Sequence, residues 1–369
     1  MSKPPVMKQH FAPGQLDRRG FLMAGAVTLG ALGLSTLGFA PRAFAQGKSL
    51  SELTLGVATY RGQDSYFFED AGTADTPYKV EYAEFAGGNL IVEALASGSL
   101  DVGGMSEIPP IFSIQSHRQP RLIAVLQGDV NNQVFLVPKE SSVESIGQLR
   151  GKRVGYVRST TSHYFLIKAL KEQGLTMNDI TAVALTPQDG FSAFQSGQLD
   201  AWVIYGVFIQ LAKFRSGARV LKTALGYLSG NYLIAARPKA LEDPLRRQAI
   251  QDYIQREART LEWINDNPEP WATKSARLLG VDKAVFLDMH NQRSQPSKII
   301  AVSEQAIASQ QEVADLFFDA GVLSERLDVS PLWERNFPLL ALCACCSGLL
   351  LRGSGSPEPG IRLPSFSIE

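Results

Sequence analysis

Cysteine is nearly missing from this chain: of its 369 residues only Cys343, Cys345 and Cys346 are cysteines, and they crowd together near the C-terminus. A disulfide among them would need an oxidising compartment, and adjacent Cys345 and Cys346 rarely pair with each other. Histidine is as scarce. Beyond His10 there are His117, His163 and His290, scattered along the sequence. Neither residue type falls at a spacing that suits a metal or haem site, so no cofactor is expected. Net charge is also absent, with Lys+Arg and Asp+Glu equal at 36 each. A neutral chain lacks the basic footprint of a nucleic-acid partner and gives no reason for a membrane-surface role. The apolar share of 45% is that of an ordinary globular protein.

What is present begins with an address. Asp17-Arg18-Arg19-Gly20-Phe21-Leu22-Met23 is a twin-arginine signature, followed by a Gly-rich apolar stretch to Phe39 and a small-x-small cleavage site at Ala43-Phe44-Ala45. Residues 1–45 are therefore expected to be a cleaved export signal, and the mature chain to start near Gln46 in a periplasm. No Cys stands at the cleavage site to take a lipid anchor. About 290 residues follow before the tail, enough for two domains. The tail, 338–369, breaks with the rest. It holds an apolar run, 339–351, too short to span a bilayer, and then an aperiodic Gly/Ser/Pro stretch. It is expected to be poorly folded, and its origin is open between a genuine tail and out-of-frame translation.

Between these ends, short apolar strands alternate with amphipathic helices. Strands are read at 53–57, 101–104, 122–126, 134–137 and 153–157, and helices at 89–97 and 162–173, each ended by a glycine. The alternation predicts an α/β fold with largely parallel sheets. Ala94-Leu95-Ala96-Ser97-Gly98-Ser99-Leu100-Asp101 recurs as Ala193-Phe194-Gln195-Ser196-Gly197-Gln198-Leu199-Asp200, with five of eight positions identical. That repeat suggests two lobes built on one unit, although any helix–Gly–strand turn has a similar look. From Pro244 a helical period runs through Ile250, Tyr253, Ile254, Ala258, Leu261 and Ile264, ending at Asn267-Pro268, and a further helix spans 303–320.

Ligands of open α/β folds bind outside the carboxyl ends of the strands. Four loops fall there: 58–62, 84–89, 105–110 and 158–164. The last places Ser159, Thr160, Thr161 and Ser162 at a helix start, where uncapped N–H groups and the positive end of the helix dipole make an anion site. Taken singly, hydroxyl residues at a helix start are more often plain caps, and Gly87-Gly88 a plain turn. The functional case rests on all four loops sharing one topological position.

These segments resemble the aliphatic sulfonate-binding family of ABC-transporter solute-binding proteins, within the sulfonate, taurine and nitrate branch. Ser106-Glu107-Ile108-Pro109-Pro110-Ile111-Phe112 is similar to the family's Gly-Glu-Ala-Pro-Pro-Ile-Phe loop. The helix start with His163-Tyr164 and the strand Asp200-Ala201-Trp202-Val203-Ile204-Tyr205 also match, as does the lobe-entry segment 145–154. The likeness covers about 50–335. It departs after Tyr205, where Gly206-Val207 stand in place of Asp-Pro and remove a carboxylate, and in the loop holding Arg61, Asp64 and Tyr66.

The resemblance implies a type II periplasmic binding protein fold: two doubly wound lobes joined by two crossing strands. Lobe one would comprise 50–138 plus 233–335, and lobe two 139–232. It implies a monomeric periplasmic component of an ABC importer, with no catalytic or metal residues. The guest would be a small organic anion of the sulfonate class, aliphatic or aryl, and the partners an inner-membrane permease with its ATPase. The expected ligand-binding residues are Thr59, Tyr60, Gly88, Asn89, Ser106, Glu107, Asn132, Ser159, Thr160, Thr161, His163, Tyr164, Tyr205 and Tyr232. Alternative guests are nitrate, taurine or a thiamine-precursor-like solute. A hydrolase built on His163 with Ser162 or Asp189 is the rival from another class, with no spacing in its favour.

Overall fold

The computed structural model describes residues 49–339 apart from 86 and 116–118. The export signal, the tail from 340 on with its three cysteines, and His117 lie outside the described residues. Lobe one opens with β1 (Thr54–Thr59), β2 (Lys79–Glu84), α1 (Gly88–Ser97), β3 (Val102–Ser106), the single-turn α2 (Ile108–Ile111) and β4 (Arg121–Gln127). The chain then crosses to lobe two: β5 (Gln133–Val137), β6 (Arg153–Tyr156), α3 (Thr161–Glu172), β7 (Thr181–Ala184), α4 (Pro187–Gln195), β8 (Ala201–Tyr205), α5 (Val207–Ser216) and β9 (Arg219–Thr223). It returns through β10 (Asn231–Ala236), α6 (Pro238–Glu242), α7 (Pro244–Asp266), α8 (Pro268–Leu279), α9 (Lys283–Asn291), β11 (Lys298–Ile300) and α10 (Glu304–Asp319).

The strands order as β11-β4-β10-β3-β1-β2 in one sheet and β7-β6-β8-β5-β9 in the other. Apolar clusters cover both faces of each sheet, which is why the central strands read as continuous hydrophobic runs. Two expectations need correction. The sheets are mixed rather than largely parallel: β1, β2 and β3 run parallel, as do β6, β7 and β8, but β10 and β5 pair antiparallel with every neighbour. Those two strands arrive straight from the other lobe, with no helical crossover to turn them round. The lobe boundary also moves. β5 bonds to β8 and β9, so the first crossing lies at 128–132, ahead of the expected break at 138/139.

The internal repeat is one hydrogen-bonded unit built twice. Gly98 (φ 87°) and Gly197 (φ 73°) end α1 and α4 in the left-handed region, a position glycine takes without steric cost. Ser99 N then donates to Ala94 O, as Gln198 N does to Ala193 O. Asp101 follows, donating its backbone N–H to Gly56 O and accepting the Gly56 N–H on its carboxylate. Asp200 does the same with Arg153. Each Asp thereby locks a helix exit onto a strand of its own lobe, β1 or β6. An arginine braces each: Arg237 reaches Asp101 and Leu100 O, and Arg153 reaches Asp200 and Gly197 O. Arg246 adds a second cation at Asp101, 2.6 Å away.

The crossings meet backbone to backbone. Gly128 N donates to Gly230 O at 2.9 Å, and a β-carbon on Gly230 (φ 77°) would stand 2.6 Å from Gly128 O. Ion pairs join the lobes on two flanks, Lys168 of α3 to Glu312 of α10 at 2.7 Å and Lys213 of α5 to Asp288 of α9 at 2.8 Å.

Candidate functional site

The carboxyl ends of β1, β3 and β8 open onto one cavity of about 870 Å³ between the lobes. Of the expected residues, Tyr60, Gly88, Asn89, Ser106, Asn132, Ser159, Thr160, Thr161, Tyr205 and Tyr232 all line it. Asn89, Ser106 and Thr161 thus face a common space from three separate elements.

Two helices point their N-termini into this space without a side-chain cap. α1 starts after Gly87, which has no side chain to offer. α3 starts after Thr160, whose hydroxyl turns back to donate to Val157 O at 2.7 Å instead of capping the helix. Ser162 is likewise turned inward, its Oγ accepting from Val157 N at 2.9 Å. Both helices therefore present first-turn N–H groups and positive dipole ends to the cavity, one from each lobe. The loop that aims α3 is strained. Ser159 is the sole non-glycine among the described residues with positive φ, at 55°, and strain of this kind persists where the surroundings hold it in place.

The turn after Ser106 adds no such donors. α2 is a single turn whose second and third residues are Pro109 and Pro110, which carry no N–H. The same prolines that suit a helix start also strip it of donors, so Ser106 faces the cavity with its own hydroxyl only.

Three tyrosines close the polar end: Tyr60 and Tyr232 from lobe one and Tyr205 from lobe two. The Tyr60 hydroxyl would lie 3.5 Å from a β-carbon on Gly88, so it stands at the mouth of α1. Burial, reinforced by the other two phenols, pushes Tyr60 well above the ordinary tyrosine value. Tyr205 is pushed up to about 12 by burial, against a hydrogen bond with the Thr160 side chain. Tyr232 is raised by burial too. All three remain neutral hydroxyls able to donate to an anion. Beside Tyr232, Asn132 Oδ1 and Gln133 Oε1 are buried without a hydrogen bond of normal geometry, although both side chains lie close to its hydroxyl.

Four expected residues belong to the frame rather than to the cavity wall. Thr59 is buried, its hydroxyl bonded to Ser65 and to Tyr60 O. Glu107 is buried with its carboxylate accepting from Ser229 Oγ at 2.7 Å and Asn231 Nδ2 at 3.3 Å, which ties α2 to β10. Burial raises its pKa against those bonds. His163 is 5% exposed and packs between Tyr156 and Phe317, with ring centroids at 4.7 and 5.5 Å. Burial and then the Arg158 charge push it down to about 4, so the ring is neutral. Tyr164 donates to Glu312 across the lobe contact at 3.3 Å. A polar residue near a helix start faces either the guest or the lobe's own core, and spacing alone does not choose.

The rival hydrolytic arrangement is not assembled. Ser162 Oγ is tied to Val157 N, His163 Nδ1 accepts from Ser159 N at 3.3 Å, and Asp189 bonds Thr186 at the start of α4.

Spacing gave no notice of several wall residues. Arg158 stands on the wall as an exposed cation with no acidic partner among the described residues. Asp64 comes from the short turn after β1, Glu257 from α7, Trp271 from α8 and Arg293 from beyond α9. Long-range packing of the C-terminal helices brings these here. A run of hydroxyls beside Arg158 was the one local signal for any of them.

Two α/β lobes, crossed twice and closing on a cavity with an electropositive end, define a type II periplasmic binding protein fold. Comparison with known proteins agrees. The family described as NMT1/THI5 like matches residues 57–269. An aliphatic sulfonates-binding protein, so named, of Escherichia coli (strain K12) is 30% identical over 259 residues, covering 69% of this chain and 80% of the relative. The crystal structure of the periplasmic aliphatic sulphonate binding protein SsuA from Escherichia coli superposes with a TM-score of 0.69 at 26% identity, covering 75% of this chain and 95% of that one. The alkanesulfonate-binding protein SsuA from Xanthomonas axonopodis pv. citri, bound to MOPS, gives 0.68 at 26% identity, covering 78% and 100%. The chain belongs to the NMT1/THI5-like family, on its aliphatic sulfonate-binding side.

Proposed function

We propose that this protein is the periplasmic solute-binding component of an ABC importer. It captures a sulfonate or related sulfur-containing anion between its lobes and hands it to a permease with its ATPase. One observation carries the reading: the uncapped starts of α1 and α3, from opposite lobes, face one cavity together with three neutral tyrosyl hydroxyls. A sulfonate has three oxygens that each accept, so several N–H and O–H donors suit it better than one basic side chain. Arg158 adds a cation at the wall. The relative with MOPS supports the same chemistry, since MOPS is a sulfonate.

Closure over the guest removes water and strengthens those bonds. The expected dissociation constant is on the order of micromolar, about 8 kcal/mol. The protein acts by binding without turnover, as a monomer, and the twin-arginine signature of Arg18-Arg19 directs its export. Calorimetry of the mature protein against a panel of sulfonates and sulfate esters tests the reading. Folded protein that binds none of them rejects the ligand class, and hydrolysis of a sulfate ester rejects the non-enzymatic role.

A further inference from the structure

The cavity does not stop at the electropositive end. It runs inward along β3, under the sheet of lobe one, to α7. Gly103 and Gly104 mark the two faces of that strand. A β-carbon on Gly103 would stand 2.6 Å from Ala58 Cβ, in tight packing, whereas one on Gly104 would meet nothing within 4 Å. A mid-sheet residue facing open space is unusual, because protein interiors are close-packed. Ile234, opposite Gly104 in register, and Tyr253, Leu261 and Ile264 of α7 wall this inner arm. The arm is an apolar chamber attached to a polar seat. The whole cavity has the size of a drug-like guest, for which pockets run from about 300 to 1,000 Å³. At the roughly 30 Å³ that a water takes up in the liquid, the cavity has room for about thirty waters, far more than a six-atom guest such as ethanesulfonate displaces.

The chamber also has a polar floor. Asp64 and Glu257 line it and are hydrogen-bonded to each other. A carboxyl pair of this kind holds a proton between its members, so it both donates and accepts. Burial lifts both groups, Glu257 well above the ordinary range, which favours one shared proton over two carboxylate charges.

We propose that the guest is a bulky sulfonate: its anion sits at α1 and α3, a ring-sized apolar body fills the arm beside Gly104, and an amino or hydroxyl group at the far end meets Asp64 and Glu257. This rests on the proposed sulfonate-binding role and adds the substrate class.

The test is calorimetry with ethanesulfonate, naphthalene-1-sulfonate, 5-aminonaphthalene-1-sulfonate and 5-hydroxynaphthalene-1-sulfonate. The naphthalene compound is expected to bind at least tenfold tighter than ethanesulfonate, and an amino or hydroxyl substituent to add at least threefold. Gly104→Leu should erase the tenfold step while leaving ethanesulfonate within twofold. Glu257→Gln with Asp64→Asn should erase only the substituent's gain. The wild-type size series needs no variant to fold, and equal or weaker binding of the naphthalene compounds overturns the inference while the sulfonate role stands. A Gly104→Leu protein that loses affinity for small and large guests alike also overturns it, and a substituent without effect removes the carboxyl pair from recognition. Failure of every sulfonate, small or large, sinks the underlying role as well.

Discussion

The backbone N–H of Ser159 donates to Nδ1 of His163 at 3.3 Å, four residues on along the chain. This bond requires the ring nitrogen to be unprotonated. It helps to hold Ser159 at φ 55°, the strained turn that aims α3 at the cavity.

Stability should therefore depend on acid. His163 titrates near its ordinary 6.5 when unfolded and at about 4 when folded. A depressed folded pKa means that the unfolded chain binds more protons between these values. The contribution of His163 is fully present above pH 6.5 and is lost as pH falls toward 4, about 3 kcal/mol in all. Urea unfolding at pH 7 and pH 4.5 should show the loss. In His163→Gln the part of the slope due to this residue should vanish.

Removing one hydroxyl at the polar end should weaken capture without unfolding the protein. Tyr205→Phe should raise the dissociation constant for a sulfonate roughly ten- to hundredfold, the worth of about 1.5–3 kcal/mol for a hydrogen bond to a charged group. With Tyr205 pushed up to about 12, the wild-type hydroxyl stays a donor where an ordinary tyrosine would ionise. Wild-type affinity should accordingly hold level from pH 8 to 10 when followed by calorimetry.

The two neighbouring glycines of β3 should answer oppositely to one methyl. Gly103→Ala meets Ala58 Cβ at 2.6 Å and Ile91 Cγ2 at 2.9 Å, and overpacking of that kind costs about 1–3 kcal/mol. Gly104→Ala meets nothing, and should leave stability unchanged or raise it by up to about 1 kcal/mol through the unfolded chain's entropy. Thermal unfolding of the pair side by side decides it.

Neutralising the repeated aspartate should reveal how differently the two lobes bury it. Asp101 is 6% exposed at its side chain and holds two partly buried arginines, so Asp101→Asn takes away the carboxylate they share and should cost about 3 kcal/mol. Asp200 keeps 32% of its side chain exposed and faces one exposed arginine, so Asp200→Asn should give the smaller loss by urea titration.

Much of the architecture could be read from residue order because it depends on local rules. Gly98 and Gly197 announce helix exits, Pro244 the start of α7, and Asn267-Pro268 both the end of α7 and the start of α8. What escaped depends on partners far away in sequence. β2 and β7 are edge strands with mostly exposed side chains, so neither carries an apolar signal. β5 is buried along its whole length and reads identically in either sheet, so residue order alone does not say on which side of the crossing it lies. Four polar residues expected at the guest, Thr59, Glu107, His163 and Tyr164, lie off the cavity wall because they sit beside its loops yet turn into the core. The inner chamber left no trace at all, since a void beside Gly104 is made by what α7 does not fill.

The contact of Gly128 with Gly230 has one more consequence. Where the two connecting segments pass, peptide planes touch directly, with no side chain at either position. A methyl group at residue 230 would have to wedge the two connecting segments apart, so the joint tolerates no bulk there.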